Sequence, residues 1–217
     1  MTDFAHARKT MVDNQLRTSA ITDRRLLVAM GEVPREKFVP ATRQALAYID
    51  EAQPLNATRK LSAPAPFAKL VQLAAVEGTD RVLDLGCGTG YSAAVLGRLC
   101  AQVVAVEDDA GLAASARKTL AEIGAGNVSV IEGALDRAGE AQGPYDVIVV
   151  EGTLAEVPAG LFDQLKPEGR LVASIGVRGK VPVAHLFAKS GRGIAARADF
   201  DARMPPLMQV KDDSFVF

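Results

Sequence analysis

The chain has 217 residues, with 25 lysines and arginines against 26 aspartates and glutamates, and its formal net charge is −1. This balance excludes steering of the whole molecule toward nucleic acid or an anionic membrane. No apolar run approaches the roughly 18 residues of a membrane-spanning helix, and the N-terminal stretch lacks the apolar core of a signal peptide. Cys87 and Cys100 are too few for a disulfide framework, so we expect a reduced protein in the cytoplasm.

The N-terminal part of the chain predicts helices rather than strands. Apolar residues recur at helical spacing in residues 4–16, and Thr22 is a candidate N-cap for a helix over residues 23–30 that Gly31 would end. A polar helical stretch ending near Tyr48 follows. These elements either form a helical cap on one edge of a sheet or complete the core, and the sequence favours neither alternative.

A third predicted helix covers residues 62–76. Pro64 is tolerated in its first turn, because a first-turn N–H has no intrahelical partner in any case. Ser62 is a candidate N-cap, and on position alone we interpret it as one.

The stretch from Arg81 to Glu107 predicts a strand, a glycine-rich turn, a helix and a second strand that ends at an acidic residue. Short apolar runs on either side of the turn are typical of parallel strands buried on both faces. Gly86, Gly88 and Gly90 permit positive φ angles and let a ligand approach the backbone closely. Glu107 follows Gly86 by about 20 positions, the spacing at which a carboxylate meets a ribose in dinucleotide-type folds.

The glycine spacing distinguishes between kinds of nucleoside ligand. A dinucleotide site requires G-x-G-x-x-G, whereas this chain has G-x-G-x-G with Tyr91 in the place of the third glycine. Asp84 precedes the glycines, and an acid there suits a cofactor with a cationic amino-acid tail and no pyrophosphate. Cys87 lies inside the loop with no histidine near it in sequence, so we interpret it as a space-filling residue rather than a nucleophile.

Helix and strand patterns alternate through the rest of the chain. They predict a helix over residues 108–123, strands over 128–131, 145–150 and 171–175, a short helix over 158–165, a turn over 166–169, and a hairpin over 181–201. This alternation predicts an α/β fold, doubly wound and Rossmann-like, with a mostly parallel sheet, a C-terminal antiparallel hairpin and an N-terminal helical cap.

The segment DLGCGTG resembles motif I of class I S-adenosylmethionine-dependent methyltransferases. Residues 11–40 and 47–55 resemble the N-terminal region of protein-L-isoaspartate O-methyltransferases, and YDVIVV, VPAGLFDQLKPEGRLV and ARMPPL resemble later blocks of that family. The resemblance implies protein repair: S-adenosyl-L-methionine as cofactor, and methylation of a carboxylate on damaged aspartyl residues of proteins or peptides. It implies no nucleic acid, membrane or metal partner. We therefore expect residues 1–217 to form one methyltransferase domain, with a helical extension over 1–60 and a cofactor-binding core over 61–217.

Candidate site residues follow from the motif and the resemblance together. Glu107 is assigned to the ribose hydroxyls and Asp84 to the polar end of the methionine moiety, and by resemblance Ser62 is the catalytic residue that hydrogen-bonds near the acceptor carboxylate. The predicted cofactor-binding set is Asp84, Gly86, Cys87, Gly88, Gly90, Tyr91, Ser92, Glu107, Asp108, Gly133, Ala134, Leu135 and Glu151. A carboxylate acceptor is already ionised at neutral pH, so this chemistry needs no general base.

Three segments depart from the family pattern. Arg59-Lys60 replaces the residues before Leu61-Ser62 in a Q-T-I-S-like segment, and Gly133-Ala134-Leu135 replaces Gly-Asp-Gly near the adenine. Glu151 opens a segment that replaces an alanine-rich turn. The first and third departures fall at the implied substrate pocket, where an anionic Glu151 would repel a carboxylate acceptor unless it points away.

Two functions follow as alternatives. The intact motif I and Ser62 favour an active carboxyl methyltransferase. The departures favour a diverged S-adenosylmethionine-binding homologue without isoaspartyl activity, which acts on another acceptor or as a regulatory or interaction module.

The remaining charged residues carry no assigned role. Arg24, Arg25 and Arg35 are expected on solvated helix faces, and a role for them in binding a substrate carboxylate is the alternative. His6 and His185 have no metal-like spacing, so no metal is expected.

Overall fold

A computed structural model describes residues 3–137, 139–176 and 179–207. The helices are α1 (Phe4–Met11), α2 (Arg24–Glu32), α3 (Pro64–Ala74), α4 (Tyr91–Gly97), α5 (Ala110–Glu122) and α6 (Ala159–Asp163). The strands are β1 (Gln53–Pro54), β2 (Lys60–Leu61), β3 (Arg81–Leu85), β4 (Gln102–Glu107), β5 (Val128–Glu132), β6 (Tyr145–Leu154), β7 (Leu165–Ile175), β8 (Val183–Ser190) and β9 (Gly193–Asp201). A π-helical turn covers Val12–Leu16, and 3₁₀ turns cover Arg17–Ser19, Arg35–Phe38, Ala41–Leu46 and Glu140–Gln142.

Seven strands form one sheet in the order β5-β4-β3-β6-β7-β8-β9. The strands from β5 to β7 run parallel, and β8 and β9 add an antiparallel hairpin at one edge. This confirms the predicted doubly wound, mostly parallel fold with its C-terminal hairpin. The chain order reverses between β3 and β6, so the carboxyl ends of β3, β4 and β6 border the crevice where ligands bind in open α/β sheets.

Both faces of the central strands β3, β4 and β6 are buried, as is typical of parallel strands. Alternate strand residues point to one face and form a single cluster with the N-terminal helices, among them Val82, Val103, Ala105, Val147 and Val149 with Met11, Leu16, Leu26, Met30 and Phe38. The intervening residues form a second cluster on the other face, among them Leu83, Leu85, Val104, Val106, Ile148 and Leu161 of α6. The predicted N-terminal helices are therefore present, and their apolar side chains are part of the core on this face of the sheet.

The start and end of α2 differ from the sequence prediction. Asp23, not Thr22, is the N-cap, and its carboxylate accepts hydrogen bonds from the backbone of Arg25 at 2.8 Å and Leu26 at 3.3 Å. Gly31 lies inside the helix rather than ending it. The helix ends one residue before Val33, which is extended because the following proline disfavours the helical conformation.

Ser62 does not cap α3, contrary to the prediction. Ala63 is the N-cap residue and supplies no side-chain hydrogen bond. The predicted turn at 166–169 lies within β7, where Glu168 has a φ of 61° and the pairing with β6 shifts register. The small antiparallel pair of β1 and β2, which the sequence did not predict, precedes α3. None of the described helices is long and apolar enough to span a membrane.

Candidate active site

The loop between β3 and α4 contains three glycines in the left-handed region. Gly86, Gly88 and Gly90 have φ angles of 80°, 56° and 93°, which side-chain-bearing residues rarely adopt. The backbone N–H groups of Gly86 and Cys87 donate to the carbonyl of Val106 at 2.8 and 3.1 Å, which fixes the loop against the end of β4. Cys87 is buried, and burial raises the pKa of its thiol well above the ordinary value, in agreement with a space-filling role.

Two leucines cover this glycine loop. A Cβ built on Gly86 would clash with the side chain of Leu207, and one on Gly88 would lie 2.8 Å from Leu55. Leu207 also lies 2.7 Å from a Cβ built on Gly152, at the end of β6. The absence of side chains on these glycines lets other groups pack directly on the loop backbone. In this structure Leu55 and Leu207 occupy that space.

Glu107 is fully buried at the carboxyl end of β4, beside the glycine loop. Its carboxylate accepts hydrogen bonds from the backbone of Gly88 at 2.7 Å, Asp109 at 3.1 Å and Asp108 at 3.2 Å, and from Nε of Arg59 at 3.2 Å. Three of these donors, Arg59, Asp108 and Asp109, converge on Oε1, whereas Oε2 accepts only from Gly88 and keeps one acceptor position. Burial raises the pKa of Glu107, while Arg59 and the backbone amides oppose the increase.

Arg59 lies at this carboxylate rather than at the substrate pocket that the resemblance implied. It belongs to the β1–β2 hairpin, and its side chain is only 11% exposed. Besides Glu107, it pairs with Asp108 and donates from Nη1 to the carbonyl of Leu207 at 2.6 Å. Burial opposes the decrease, but the contacts with Glu107 and Arg59 lower the pKa of Asp108. Arg59 therefore joins the hairpin, β4 and the segment that ends at Leu207.

A cavity of about 800 Å³ opens beside Glu107. Its lining consists of Thr58, Arg59, Asp108, Asp109, Ala134, Leu135, Asp136, Pro206 and Leu207. Gly133 is held at this edge by a hydrogen bond from its N–H to the carbonyl of Glu107 at 3.0 Å. The structure thus brings together Asp108 and the Gly133–Leu135 segment, as the sequence predicted, and adds Arg59 and Leu207, which it did not.

Asp84 in β3 and Glu151 in β6 are both buried near the glycine loop, where their charges act on Cys87. Ser92, in the first turn of α4, donates to one oxygen of Asp84 at 2.7 Å. In the part of the chain that the structure describes, the other oxygen of Asp84 and Oε1 of Glu151 have no hydrogen-bond partner. Burial, together with the charge of Glu107, raises the pKa of Asp84 to about 7. Burial and the charge of Asp84 raise the pKa of Glu151 well above its ordinary value.

Arg35 is fully buried, so its predicted place on a solvated helix face is wrong, whereas Arg24 and Arg25 are exposed as predicted. Its guanidinium lies 4.6 Å from the ring centroid of Tyr91. Nη2 donates at 2.5 Å to the carbonyl of Ser62, which is itself buried. This contact places the predicted catalytic serine beside the cluster of Arg35 and Tyr91.

Long-range contacts account for the site residues that the sequence did not reveal. Arg59 was visible only as a departure from a family motif. Leu55 and Leu207 end segments that resemble the family, but the sequence did not place them at the glycine loop. Arg35 lies in a charged 3₁₀ turn, where a solvated position is the ordinary expectation. Across residues 3–137, 139–176 and 179–207, no group of three or more histidine, cysteine, aspartate or glutamate side chains could hold a metal ion.

A Rossmann-like sheet with a positive-φ glycine loop after β3 and a buried acid ending β4 defines a class I methyltransferase fold. The chain belongs to the protein-L-isoaspartate(D-aspartate) O-methyltransferase family, whose model matches residues 6–209.

Curated relatives and solved structures agree with this membership. The chain is 41% identical over 186 residues to protein-L-isoaspartate O-methyltransferase 2 of Anaeromyxobacter sp. (strain Fw109-5), covering 86% of this chain and 76% of the relative. It is 39% identical over 208 residues to the enzyme of Koribacter versatilis (strain Ellin345), covering 96% and 93%. A solved protein-L-isoaspartate O-methyltransferase superposes with a TM-score of 0.83 at 26% identity, covering 93% of this chain and 66% of that chain. A putative Plasmodium falciparum enzyme in complex with S-adenosyl-L-homocysteine shares the fold, with a TM-score of 0.79 at 21% identity and coverage of 93% and 98%.

Proposed function

We propose that this protein is a protein-L-isoaspartate(D-aspartate) O-methyltransferase. It transfers a methyl group from S-adenosyl-L-methionine to a carboxylate of altered aspartyl residues in proteins, as a single-domain enzyme of the cytoplasm. The observation that carries the proposal is the buried Glu107 at the end of β4, between the glycine loop and the 800 Å³ cavity, in a chain of this family. The two cysteines are free and buried, which suits a reducing compartment.

The residues present fit the cofactor. Asp84 and Glu151 each present a buried oxygen that has no partner among the residues the structure describes, which suits an ammonium group. Glu107 lies where a carboxylate meets ribose hydroxyls, and the cavity beside Ala134 and Leu135 offers an apolar wall for the adenine.

The chemistry divides between cofactor and protein. When bound, the sulfonium supplies an activated methyl group. The protein binds, orients and excludes water, and Ser62 orients the acceptor carboxylate. Arg35 holds the backbone of Ser62 in place.

The test is a methyl-transfer assay with radiolabelled cofactor on an isoaspartyl peptide and on the same peptide with ordinary aspartate. We expect labelling of the isoaspartyl peptide alone, together with binding of S-adenosylhomocysteine and no binding of NAD. Cofactor binding without transfer to either peptide would support the second candidate, a diverged binding module. The buried Glu151 and the Arg59–Glu107 ion pair are the observations that favour that candidate.

Arg59 is expected to compete with the cofactor for Glu107. Arg59 and two backbone N–H groups already engage Oε1, so a ribose hydroxyl reaches that oxygen only by displacing Arg59. Arg59→Gln should tighten S-adenosylhomocysteine binding about tenfold in calorimetry, equivalent to about 1.4 kcal/mol. Lys60→Gln, the same change at the exposed neighbour, should leave the affinity unchanged. Weaker binding by Arg59→Gln would make Arg59 a cofactor ligand instead.

Ala134 is expected to limit recognition of the adenine amino group. Ala134 lines the cavity and is exposed, so a longer side chain has room there. Ala134→Asp should tighten S-adenosylhomocysteine binding by about 1 kcal/mol, the net value of one hydrogen bond. The gain should vanish with an analogue that lacks the exocyclic amine. A loss of affinity in the folded variant would show that the adenine lies elsewhere.

A further inference from the structure

The first turn of α3 has a backbone donor that needs a partner from outside the helix. Pro64 and Pro66, the first and third residues of α3, have no N–H group, so Ala65 between them carries the only one in these positions. Ala65 is buried, and a buried N–H group without a partner is costly. The residue that pairs with Ala65 therefore determines how this end of the helix is capped.

Asp50 supplies that partner from 15 residues earlier in the chain. Its Oδ1 accepts a hydrogen bond from the N–H group of Ala65 at 2.9 Å. The N-cap residue Ala63 has no side-chain group that could do so. A carboxylate is favourable at this place, because the N-terminus of a helix carries a partial positive charge. Asp50 thus performs the capping that the sequence pattern assigned to Ser62.

The segment of residues 47–50 is itself held in place. Nε of Arg35 donates to the carbonyl of Ala47 at 2.7 Å, and Nε2 of Gln15 donates to the carbonyl of the following residue at 2.8 Å. Nη2 of the same arginine donates to the carbonyl of Ser62 at 2.5 Å. Arg35 therefore holds both the backbone of Ser62 and the segment that caps α3.

Ser62 is the alternative cap for the same donor. It precedes Ala65 by three positions, the spacing at which a serine hydroxyl accepts from an N–H group in the first turn of a helix. A hydroxyl that is used as a cap has its orientation set by the helix. While Asp50 binds the N–H group of Ala65, the Ser62 hydroxyl is not required there.

We propose that Asp50 is a positioning residue for methyl transfer, because it caps α3 and thereby leaves the hydroxyl of Ser62 to the acceptor carboxylate. The proposal rests on the proposed function, in which Ser62 orients that carboxylate. Without Asp50, the hydroxyl turns to the N–H group of Ala65 and the acceptor loses it. Asp50 itself does not contact the acceptor.

Methylation of an isoaspartyl peptide by the full-length protein tests this role. Asp50→Ala should lower kcat about tenfold, the change in population that one capping hydrogen bond can produce. Asp50→Asn keeps an acceptor oxygen and should retain most of the activity, and Glu51→Ala at the exposed neighbour should behave as wild type. None of these residues lines the cavity beside Glu107, so S-adenosylhomocysteine affinity should not change. An equal loss of activity in Asp50→Asn would overturn capping as the cause.

A double-mutant cycle with Ser62→Ala separates positioning from a general structural effect. If Asp50 acts through the Ser62 hydroxyl, adding Asp50→Ala to Ser62→Ala should lower kcat no further. Losses that multiply in the double variant would show that Asp50 acts independently of Ser62, and would overturn the proposal.

Denaturant unfolding tests the same exchange of caps without any reaction. Ser62→Ala should leave the unfolding free energy of the wild type nearly unchanged, because Asp50 is the cap. In the Asp50→Ala background the same change should destabilise the fold, because Ser62 has become the cap. Equal effects of Ser62→Ala in both backgrounds would defeat this inference alone, whereas a wild-type protein that methylates neither peptide would defeat the proposed function.

Discussion

Replacing Glu107 with glutamine is expected to weaken S-adenosylhomocysteine binding about a hundredfold. A hydrogen bond to a charged group is worth about 1.5–3 kcal/mol, and two ribose hydroxyls share this carboxylate in the proposed complex. The amide also presents an N–H₂ group toward the backbone N–H groups of Gly88, Asp108 and Asp109, which now donate to the carboxylate. Calorimetry gives the affinity, and circular dichroism verifies that the variant is folded.

Glu132 provides the matched control for this variant. It is the register partner of Glu107 at the end of β5, but its side chain is exposed. Glu132→Gln removes the same charge at the same edge of the sheet and should leave the affinity unchanged. If the folded Glu107→Gln protein binds as wild type does, Glu107 serves only to anchor the glycine loop.

Replacing Asp84 with asparagine is expected to stabilise the folded protein at pH 8. The pKa of Asp84 is about 7 in the folded state against an ordinary 3.8, so the folded state binds more protons between these values. Stability therefore falls as pH rises from about 4 through about 7, and the full cost remains above that interval. Asparagine removes this cost, which is about 1.4 kcal/mol for each pKa unit, and can still accept the Ser92 hydrogen bond.

Denaturant unfolding at pH 4 and pH 8 measures this effect. The difference in unfolding free energy between Asp84→Asn and wild type should be large at pH 8 and close to zero at pH 4. Glu107 and Glu151 also have raised pKa values, so the difference from wild type, rather than the wild-type slope, reports on Asp84. Asp80→Asn should have the opposite sign, because that variant loses the ion pair with Arg170 at 2.9 Å. Destabilisation by Asp84→Asn at pH 8 would mean that the folded state favours the ionised acid.

The two predictions connect stability with binding. Asp84 lowers the stability of the ligand-free protein, because one of its buried carboxylate oxygens has no hydrogen-bond partner among the described residues. The same oxygen is available to the cofactor in the proposed complex. Asp84→Asn should therefore raise the stability of the ligand-free protein and lower its affinity for the cofactor, a trade-off that is common at binding sites.

The sequence predicted the parts of the fold that depend on local patterns. Apolar runs marked the five parallel strands, and the glycine spacing marked the loop at the end of β3. The error at α2 is a shift of one position, because Thr22 and Asp23 are both good capping residues and only the structure shows which one bonds. Ser62 resembled a cap for the same reason, but its backbone is held by Arg35 instead.

The site was predictable only where its residues lie in one motif. Asp84, the glycines and Glu107 belong to a single β-α-β stretch, so their proximity follows from the fold. The positions of Arg35 and Arg59 depend on partners far along the chain, and sequence pattern does not encode such contacts. These two arginines changed the description of the site most. A buried charge requires hydrogen-bond or ionic partners, and the partners of Arg35 and Arg59 lie at the site.

The Arg59 contact also sets the order in which the site can form during synthesis. Its partners Glu107 and Leu207 lie 48 and 148 residues away along the chain. A chain on the ribosome has the glycine loop and Glu107 long before it has Leu207. Until Leu207 has been synthesised, the glycine loop between β3 and α4 lacks the leucine that covers Gly86 in the complete fold. Early cofactor binding would therefore meet an open nucleoside site, and the segment that ends at Leu207 would cover it only later.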